Sequence, residues 1–304
     1  MNLGMKLFSP AGAVERIEGP TAVTVGVFDG VHRGHCDLIH QLSTINFQLT
    51  NLVVSLTAHP SFVLGRRDNE YWLDDPGEHL RLLFEAGAKY VAVLPFTREV
   101  AQLSACQMAR MLYDQLNMRT LLLGYDSRFG SKQNDDFGQL PRLADELGFS
   151  LQRGDPSLID DAPISSSRIR ESLLHGHVDE TARLLGRPYS VCGQVTHGRG
   201  VGHTLGFPTA NIGLSCTRKM LPLEGVYAVK LSGVAGIANL GAAPTFGIEK
   251  PLLEVHLLNF DGDLYGKSVE VQFIHRLRGI VRFDSVEALK RQLQEDLIHS
   301  RQWL

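Results

Sequence analysis

The stretch TVGVFDGVHRGHCDLIHQL, residues 24–42, passes from a short apolar run through a glycine-rich turn into a helical pattern. Strand, turn and helix in this order predict the first unit of an α/β fold, with the turn where a strand ends and a helix begins. The free N–H groups and the dipole at a helix N-terminus favour phosphate. Gly26, Gly30 and Gly34 allow the backbone to approach a ligand closely. The stretch therefore predicts a phosphate-binding turn.

Two histidines, His32 and His35, stand three residues apart at the start of the predicted helix. At this spacing both rings face the same side of a helix, so they can meet one ligand. Imidazolium groups there would stabilise the charge that develops on a phosphate during nucleotidyl transfer. An isolated pair of this kind is more often two surface histidines beside a loop, and that alternative stays open. The strand–turn–helix context favours the phosphate site.

The remainder of the first half alternates strand-like and helix-like segments. Its strand-like runs, such as LVVSLTA (52–58) and YVAVLPF (90–96), are short and continuously apolar, which is typical of a sheet covered on both faces. Segments such as GEHLRLLFEAG (77–87) and ACQMARMLYDQL (105–116) read as helices. The alternation predicts a Rossmann-like α/β domain with a parallel sheet and crossover helices.

The pattern changes after Arg187, where β-rich segments follow one another between Gly, Pro and Asp turns. Only the last stretch, residues 285–303, has helical periodicity. This arrangement predicts a compact antiparallel barrel or sandwich with one terminal helix. We place the two domains at residues 1–186 and 187–304.

The composition narrows the class of protein. A chain of 304 residues predicts about two domains, and a net charge of −3 gives no support to a nucleic-acid-binding surface. The chain has no run of eighteen apolar residues, so we expect no membrane span. The first residues lack the apolar segment of a secretory signal. The cysteines are scattered with no Cys-x-x-Cys pair, so we expect a cytoplasmic protein without a cysteine zinc site.

The stretch GVFDGVHRGH (26–35) resembles the His-x-Gly-His signature of the nucleotidylyltransferase superfamily. With its Phe-Asp-Gly it is most similar to the adenylyltransferase half of prokaryotic bifunctional riboflavin kinase/FAD synthetases. LLLGYDSRFG (121–130) and ISSSRIR (164–170) resemble two further segments of that family. The resemblance implies ATP binding by the turn and the serines, catalysis by the histidines and the arginine, and flavin contacts near two other positions. The implied ATP-binding residues are Gly26, Phe28, Asp29, Gly30, Ser165, Ser166 and Ser167. The implied catalytic residues are His32, His35 and Arg170, and the implied flavin contacts are His59 and Asp126.

The two later segments also have a physical interpretation of their own. Asp126 follows a strand at a turn, where its carboxylate can reach a flavin or a metal, or where it simply forms an Asx turn. Ser165, Ser166 and Ser167 precede a helical stretch, so their hydroxyl and N–H groups can bind phosphate, which Arg170 can neutralise. A plain serine N-cap is the alternative.

In the second half, VTHGRGVGHTLGFPTANIG (195–213) combines a glycine-rich segment with a Pro-Thr-Ala-Asn motif. It is neither a Walker A loop nor a dinucleotide fingerprint, because no Gly-Lys-Ser/Thr and no helical pattern follows. Its glycines could cover phosphates. Thr209 and Asn211 place a hydroxyl and an amide oxygen on one side of an extended segment, which suits Mg²⁺ together with phosphate oxygens. The glycines in question are Gly198, Gly200, Gly202 and Gly206.

The strand-like segment LLEVHLL (252–258) carries one carboxylate, Glu254, among apolar residues. A glutamate buried there needs a reason, and accepting a proton from a substrate hydroxyl would be one. A glutamate on the solvent face of a half-exposed strand is equally compatible with the alternation. The whole half resembles riboflavin kinase, which implies that Thr209 and Asn211 bind Mg-ATP and that Glu254 activates the 5′-hydroxyl of riboflavin.

The chain departs from the family pattern at three places. Residues 56–60 read Leu-Thr-Ala-His-Pro where the family has Phe-Asp-Pro-His-Pro, and Ser127 replaces a phenylalanine. Both departures fall where the resemblance implies flavin contacts. His203 stands where the family often has arginine or lysine, and a neutral histidine would bind phosphate less well.

Together these patterns predict an enzyme that phosphorylates riboflavin and then adenylylates FMN, with ATP and Mg²⁺. Three alternatives stay open: a live kinase with an impaired adenylyltransferase half, a flavin- or nucleotide-binding regulatory protein without turnover, and a nucleotidylyltransferase for another substrate, such as a cytidylyltransferase. The sequence does not determine the oligomeric state.

Overall fold

The protein is described from a computed structural model, which covers residues 5–9, 11–57, 63, 65, 71–131, 136–197, 206–242 and 251–304. The chain divides into two compact units, Met1–Ser166 and Ser167–Leu304. The helices that follow residue 166 therefore group with the second unit. The predicted functional boundary after residue 186 stays a prediction, and each unit is described by itself.

The first unit contains a sheet made, in its described part, of seven strands. They are β1 (Lys6–Ser9), β2 (Gly12–Val14), β3 (Thr21–Gly26), β4 (Thr50–Leu56), β5 (Tyr90–Leu94), β6 (Met118–Leu123) and β7 (Ser150–Arg153). Their spatial order is β2-β1-β5-β4-β3-β6-β7. Strands β3 to β7 pair in parallel, which confirms the predicted parallel sheet. The sequence patterns missed β1, β2 and β7, and β1 pairs antiparallel with β2 and β5.

Helices connect these strands. They are α1 (Arg33–Thr44), α2 (Pro76–Glu85), α3 (Arg98–Gln102), α4 (Ala105–Leu116) and α5 (Leu140–Leu147), and a small hairpin of β8 (Leu158–Ile159) and β9 (Ala162–Pro163) follows. Local capping explains where two of the helices begin. The Asp75 side chain accepts from the N–H groups of Gly77 and Glu78, and Ser104 and Gln107 form the same reciprocal capping box for α4. The predicted bounds of α4 are confirmed for this reason.

The sheet of the first unit is buried on both faces. Leu52, Val53 and Val54 are consecutive residues of β4, and each is fully buried. Successive side chains of a strand point to opposite faces, so full burial of all three requires cover on both sides. Leu52 and Val54 pack with the cluster that includes Met108 of α4, while Val53 packs with the cluster that includes Ile39 of α1.

The second unit contains helix α6 (Ser166–Leu174) except for its first residue, then α7 (Val178–Leu185) and a closed barrel. The barrel strands are β10 (Tyr189–Thr196), β11 (Thr209–Leu214), β12 (Gly225–Leu231), β13 (Val234–Ala242), β14 (Pro251–Leu257) and β15 (Ser268–Arg278). All neighbouring pairs are antiparallel, and pairing of Tyr189 with Phe273 closes the barrel. The structure thus decides for a barrel over a sandwich. The rings of Tyr189, Tyr227 and Phe273 fill its interior.

The terminal helix α8 (Val286–Ser300) confirms the last predicted element. The Ser285 hydroxyl accepts from Ala288 N at its N-terminus. Arg278, the last residue of β15, binds Asp296 of α8 with 2.9 Å from Nε to Oδ1 and 2.7 Å from Nη2 to Oδ2. This bidentate pair joins the helix to the barrel. Within the described ranges, no helix has both the length and the apolar character that a membrane crossing needs.

Replacing Arg278 with methionine tests the contribution of this pair. Because the Asp296 side chain is only 2% exposed, loss of its partner leaves a buried uncompensated charge. We expect the free energy of unfolding of this unit to fall by about 3 kcal/mol. Urea unfolding followed by Trp303 fluorescence measures it, since the Trp303 ring stacks on His275 of the barrel at 3.6 Å. Arg291→Met, an exposed change on the same helix, is the control. An unchanged midpoint for Arg278→Met would contradict the expectation.

Candidate functional site

The first candidate site lies at the carboxyl end of β3, in the turn of residues 27–32. Strand β3 has β4 on one side and β6 on the other, and the chain runs to β4 before it crosses over to β6. The turn after β3 therefore lies at the topological switch point of the sheet, where open α/β sheets bind their ligands. The predicted phosphate turn and the turn that carries Asp126, after β6, leave the sheet at the same edge.

The backbone of this turn is held in an unusual conformation. Phe28 has a φ of 52° and Val31 a φ of 33°, and Gly30 between them has a φ of 83°. Non-glycine residues in this region cost on the order of 1–3 kcal/mol each and persist only where the surroundings determine them. The Phe28 ring lies over Gly26, where an added Cβ would approach it to 3.1 Å. A side chain at position 26 would therefore displace the ring.

The two histidines come together as predicted. His32 is the N-cap of α1, and its Nδ1 accepts from the N–H of His35 at 3.3 Å. The two rings stack with centroids 3.6 Å apart, and the Phe28 ring meets His35 edge-on at 5.1 Å. His32 is buried and His35 is half-buried. Burial of His32 contradicts the alternative of two surface histidines.

Two buried carboxylates, those of Asp29 and Asp74, hold the turn by accepting hydrogen bonds from backbone N–H groups. Asp29 Oδ1 accepts from Leu73 N at 2.8 Å, and Asp74 Oδ2 accepts from Gly30 N at 3.2 Å. The same Asp74 oxygen lies 2.9 Å from Nδ1 of His79, whose Nε2 lies 2.8 Å from the hydroxyl of Ser55. Sequence reasoning missed Asp74 and His79. The only signal was the pair of aspartates before Pro76: Asp75 caps α2, and Asp74 has no such local task.

Asp74 and His79 form a buried ion pair. Burial by itself would raise the pKa of Asp74, but the hydrogen bond and the positive charge of His79 lower it below its ordinary value. Burial by itself would lower the pKa of His79, but its hydrogen bond to Asp74 and the charges of Asp74, Asp29 and Glu78 raise it. Both shifts favour the charged forms, imidazolium and carboxylate.

The predicted serine segment meets the turn through one hydrogen bond. The Ser166 hydroxyl donates to the backbone carbonyl of Asp29 at 2.9 Å. Ser166 is also the first residue of α6, and the predicted phosphate binding by the serines stays a prediction. Ser165 is half-buried and Ser167 is exposed. Arg170 lies one turn into α6 and is half-buried.

Asp126 lies in the turn after β6 and is exposed. Burial raises the pKa of the Tyr125 hydroxyl, and the charge and hydrogen bond of Asp126 raise it further. Arg153 donates to the Tyr125 carbonyl at 2.8 Å, and Ser127 N donates to Gly124 O at 3.1 Å, which closes the turn. His59, the other predicted flavin contact, lies outside the described residues.

The second candidate site lies on the outer face of the barrel. Asn211 of β11 is directly opposite Glu254 of β14, and Thr209 is opposite His256 two residues along. Because Leu253 and Val255 are fully buried and strand side chains alternate, Glu254 points outward. The outward alternative for this glutamate is therefore confirmed. Directly opposed residues share a face, so the three predicted site residues Thr209, Asn211 and Glu254 lie side by side.

Further residues lie beside Asn211 and Glu254 on the adjoining strands, and local contacts hold the chain just before Thr209. Thr196 of β10 is opposite Asn211, and Asn239 of β13 is opposite Glu254. His256 Nδ1 lies 2.8 Å from the Pro208 carbonyl, and its ring meets Phe207 edge-on at 5.4 Å, which fixes the chain just before Thr209. Gly206 is described, exposed and has a φ of 82°. Gly198, Gly200, Gly202 and His203 lie outside the described residues.

The oxygen atoms of this row fit a divalent cation such as Mg²⁺. Hydroxyl, amide and carboxylate oxygens from Thr209, Asn211 and Glu254 lie on one face, and Mg²⁺ takes few protein oxygens alongside phosphate and water. In the part of the chain that the structure describes, no three or more His, Cys, Asp or Glu residues form a metal-binding group. Thr209 and Asn211 stay the predicted metal position, with Glu254 opposite Asn211 as the predicted proton acceptor.

Comparison with known proteins matches both units. A family model described as FAD synthetase covers residues 14–168, and one described as riboflavin kinase covers residues 185–304. A bifunctional riboflavin kinase/FMN adenylyltransferase of Haemophilus influenzae is 36% identical over 307 residues, 96% of this chain and 97% of that protein. One from Escherichia coli is 34% identical over 289 residues, 92% of each chain.

A solved structure shows the same architecture over nearly the whole length. The crystal structure of a macrolide-efflux protein from Streptococcus pneumoniae has a TM-score of 0.87 and 30% sequence identity, and covers 95% of this chain and 97% of its own. The name macrolide-efflux protein describes the pneumococcal protein and is not carried over to this chain. Since relatives above 30% identity align with almost the full chain and both family models match in order, the chain belongs to the family of bifunctional riboflavin kinase/FMN adenylyltransferases.

Proposed function

We propose that this chain converts riboflavin to FMN and FMN to FAD, each with ATP, and that the two described sites divide the reactions. One observation carries the proposal. A relative with both activities in its name aligns with 96% of this chain, and the two family models match the two halves in the same order. We place the functional boundary after residue 186, supported by the start of the riboflavin kinase match at residue 185. A cytoplasmic enzyme with small-molecule substrates fits this function.

The barrel site carries the kinase reaction. Glu254 accepts the proton of the 5′-hydroxyl of riboflavin as that oxygen attacks the γ-phosphorus of ATP and the bond to ADP breaks. Thr209 and Asn211 hold the phosphates from the neighbouring strand, and Gly198, Gly202 and Gly206 contribute further ATP contacts. Bound Mg²⁺ supplies charge neutralisation at this position. Because phosphoryl transfer depends on positioning, the register of β11 against β14 supports this assignment.

The turn after β3 carries the adenylyl transfer. A phosphate oxygen of FMN attacks the α-phosphorus of ATP, and pyrophosphate leaves. This nucleophile is already anionic, so the site needs positive charge and hydrogen-bond donors rather than a general base. His32 and His35 stabilise the charge on the transferred phosphorus, and Arg170 stabilises the pyrophosphate. The segments that bind ATP are Gly26, Phe28, Asp29 and Gly30 with Ser165, Ser166 and Ser167.

Flavin recognition in this half is assigned to His59 and Asp126. The exposed Asp126 carboxylate at the sheet edge supports the second assignment. Ser127 offers less apolar surface to a flavin ring than the phenylalanine of the family pattern. This departure keeps one alternative open, an active kinase with an impaired adenylyltransferase half, for which FMN would accumulate without FAD.

Separating the flavin products of two variants tests this division of labour. Glu254→Gln removes the proton acceptor, so we expect the rate of FMN formation to fall about 10²–10⁴-fold, with FAD formation from supplied FMN unchanged. His32→Asn removes the imidazole but keeps a good N-cap for α1, so we expect FAD formation to fall about 10²-fold, with FMN formation unchanged. Each variant is thus the control for the other.

Three results would contradict the proposal. Wild-type protein that forms neither flavin product from riboflavin, ATP and Mg²⁺ would reject both activities. Loss of FMN and FAD formation to the same extent in either variant would reject the assignment of separate sites. Wild-type FMN formation without FAD formation would establish the impaired alternative.

Ser166→Ala tests the hydrogen bond between the serine segment and the turn. The lost bond to the Asp29 carbonyl is worth about 1 kcal/mol, so we expect kcat/KM for FAD formation to fall roughly fivefold. Thr44→Ala is the matched control, because its hydroxyl donates to the Gln41 carbonyl at 2.9 Å on the exposed side of α1. Equal kcat/KM values for the two variants would show that this bond does not support the site.

A further inference from the structure

The turn that presents the two histidines is strained, and three hydrogen bonds from distant segments hold it. Phe28 and Val31 have positive φ angles without being glycine, and Val31 is β-branched. The anchors are Leu73 N to the Asp29 carboxylate, Gly30 N to the Asp74 carboxylate, and the Ser166 hydroxyl to the Asp29 carbonyl. Two of these three anchors are carboxylates. The shape of the turn therefore depends on groups that keep those carboxylates charged and in place.

We propose that His79 is a positioning residue for adenylyl transfer, which holds the turn of residues 28–32 through Asp74 and compensates the carboxylates beneath it. The inference rests on the proposed function of the first unit. His79 reaches the turn through Asp74: its Nδ1 lies 2.9 Å from the Asp74 oxygen that also accepts from Gly30 N at 3.2 Å.

The hydrogen-bonded chain Ser55–His79–Asp74, called the relay below, begins on β4, the strand that pairs with the end of β3 before the turn. His79 Nε2 lies 2.8 Å from the hydroxyl of Ser55. Ser55 of β4 is paired in register with Gly26, the last residue of β3 before the turn. The relay therefore starts beside the end of β3, crosses to α2 and returns to Gly30. A change in the His79 ring would move the anchor of the turn and leave the sheet in place.

Charge gives His79 a second role. The carboxylates of Asp29 and Asp74 are almost fully buried next to a turn that is assigned to anionic phosphates. Asp74, Asp29 and Glu78 are the charged groups that act on His79, and they raise its pKa although burial lowers it. As imidazolium, His79 offsets the buried negative charge of Asp74. Once His79 loses its proton, that charge is uncompensated and opposes phosphate binding.

The chain Ser55–His79–Asp74 has the order of a Ser-His-Asp nucleophile triad, but its position argues against that chemistry. Ser55 is only 3% exposed, on a strand inside the sheet, and the His79 side chain is 16% exposed. A substrate carbonyl cannot reach the hydroxyl without opening the sheet. The relay ends at the backbone of the active-site turn, which fits positioning.

Two substitutions at His79 test the proposal in the full-length protein, with FAD formation from supplied FMN and FMN formation from riboflavin measured separately. His79→Leu removes both the donor to Asp74 and the charge. His79→Asn keeps an N–H donor near the position of Nδ1 but is neutral at every pH. His40→Leu and His40→Asn are the matched controls, because His40 is exposed on α1.

For His79→Leu we expect kcat/KM for FAD formation to fall about tenfold to a hundredfold, with FMN formation unchanged. For His79→Asn we expect a kcat near that of the wild type and a KM for ATP raised several-fold.

The pH profile separates positioning from folding. In the wild type the ratio of FAD to FMN formation should fall as the pH rises through the raised pKa of His79, because the imidazolium is lost. In His79→Asn this fall should be smaller, because loss of the His79 charge no longer contributes to it.

Each other outcome overturns the proposal. FMN formation that falls in proportion with FAD formation in His79→Leu would make His79 a folding residue only. An unchanged FAD rate in that variant, or the same alkaline fall in His79→Asn as in the wild type, would remove its role. If His79→Leu does not fold, the pH profile of His79→Asn decides. If the wild-type protein forms no FAD, the proposed function is rejected and this inference with it. If the wild-type protein forms FAD but the His79 variants do not behave as expected, only the role of His79 is rejected.

Discussion

The candidate site after β3 depends on one backbone constraint: Phe28 and Val31 hold left-handed conformations in the turn. Such a conformation persists only where packing and hydrogen bonds outweigh its cost. The rigid parallel sheet fixes where the turn begins, and the buried carboxylates of Asp29 and Asp74 fix its course. With that course set, His32 caps α1 and stacks on His35. The pair of imidazoles is thus a consequence of how the turn is held.

The candidate site on the barrel depends on a different constraint, the closed register of the barrel strands. Strand alternation sends Leu253 and Val255 inward and Glu254 outward, and pairing with β11 places Asn211 opposite it. The two sites also differ in chemistry. For the proposed kinase reaction a riboflavin hydroxyl needs a proton acceptor, which is the role proposed for the Glu254 carboxylate. An FMN phosphate is already anionic, so the role proposed for the two imidazoles of the first site is to stabilise charge.

Much of this organisation could be predicted from local sequence. Apolar runs predicted the central parallel strands, and the capping pair Ser104 and Gln107 set the start of α4. The glycine-rich turn with its His-x-x-His pair indicated a phosphate site at the end of a strand. Thr209 and Asn211, two residues apart in an extended segment, were predicted to share one side. These features depend on neighbours within a few residues, which is why sequence patterns report them.

The sequence by itself therefore determined the order of the central strands and helices, the two kinds of domain and the residues predicted to handle phosphate. Only the tertiary structure decided that the second domain closes as a barrel, that Glu254 faces outward, and that Asp74 and His79 support a turn some forty residues away. Each of these depends on packing between segments far apart in the chain. A strand pattern does not state which face will be covered, and a buried carboxylate has no local signal for its distant partner.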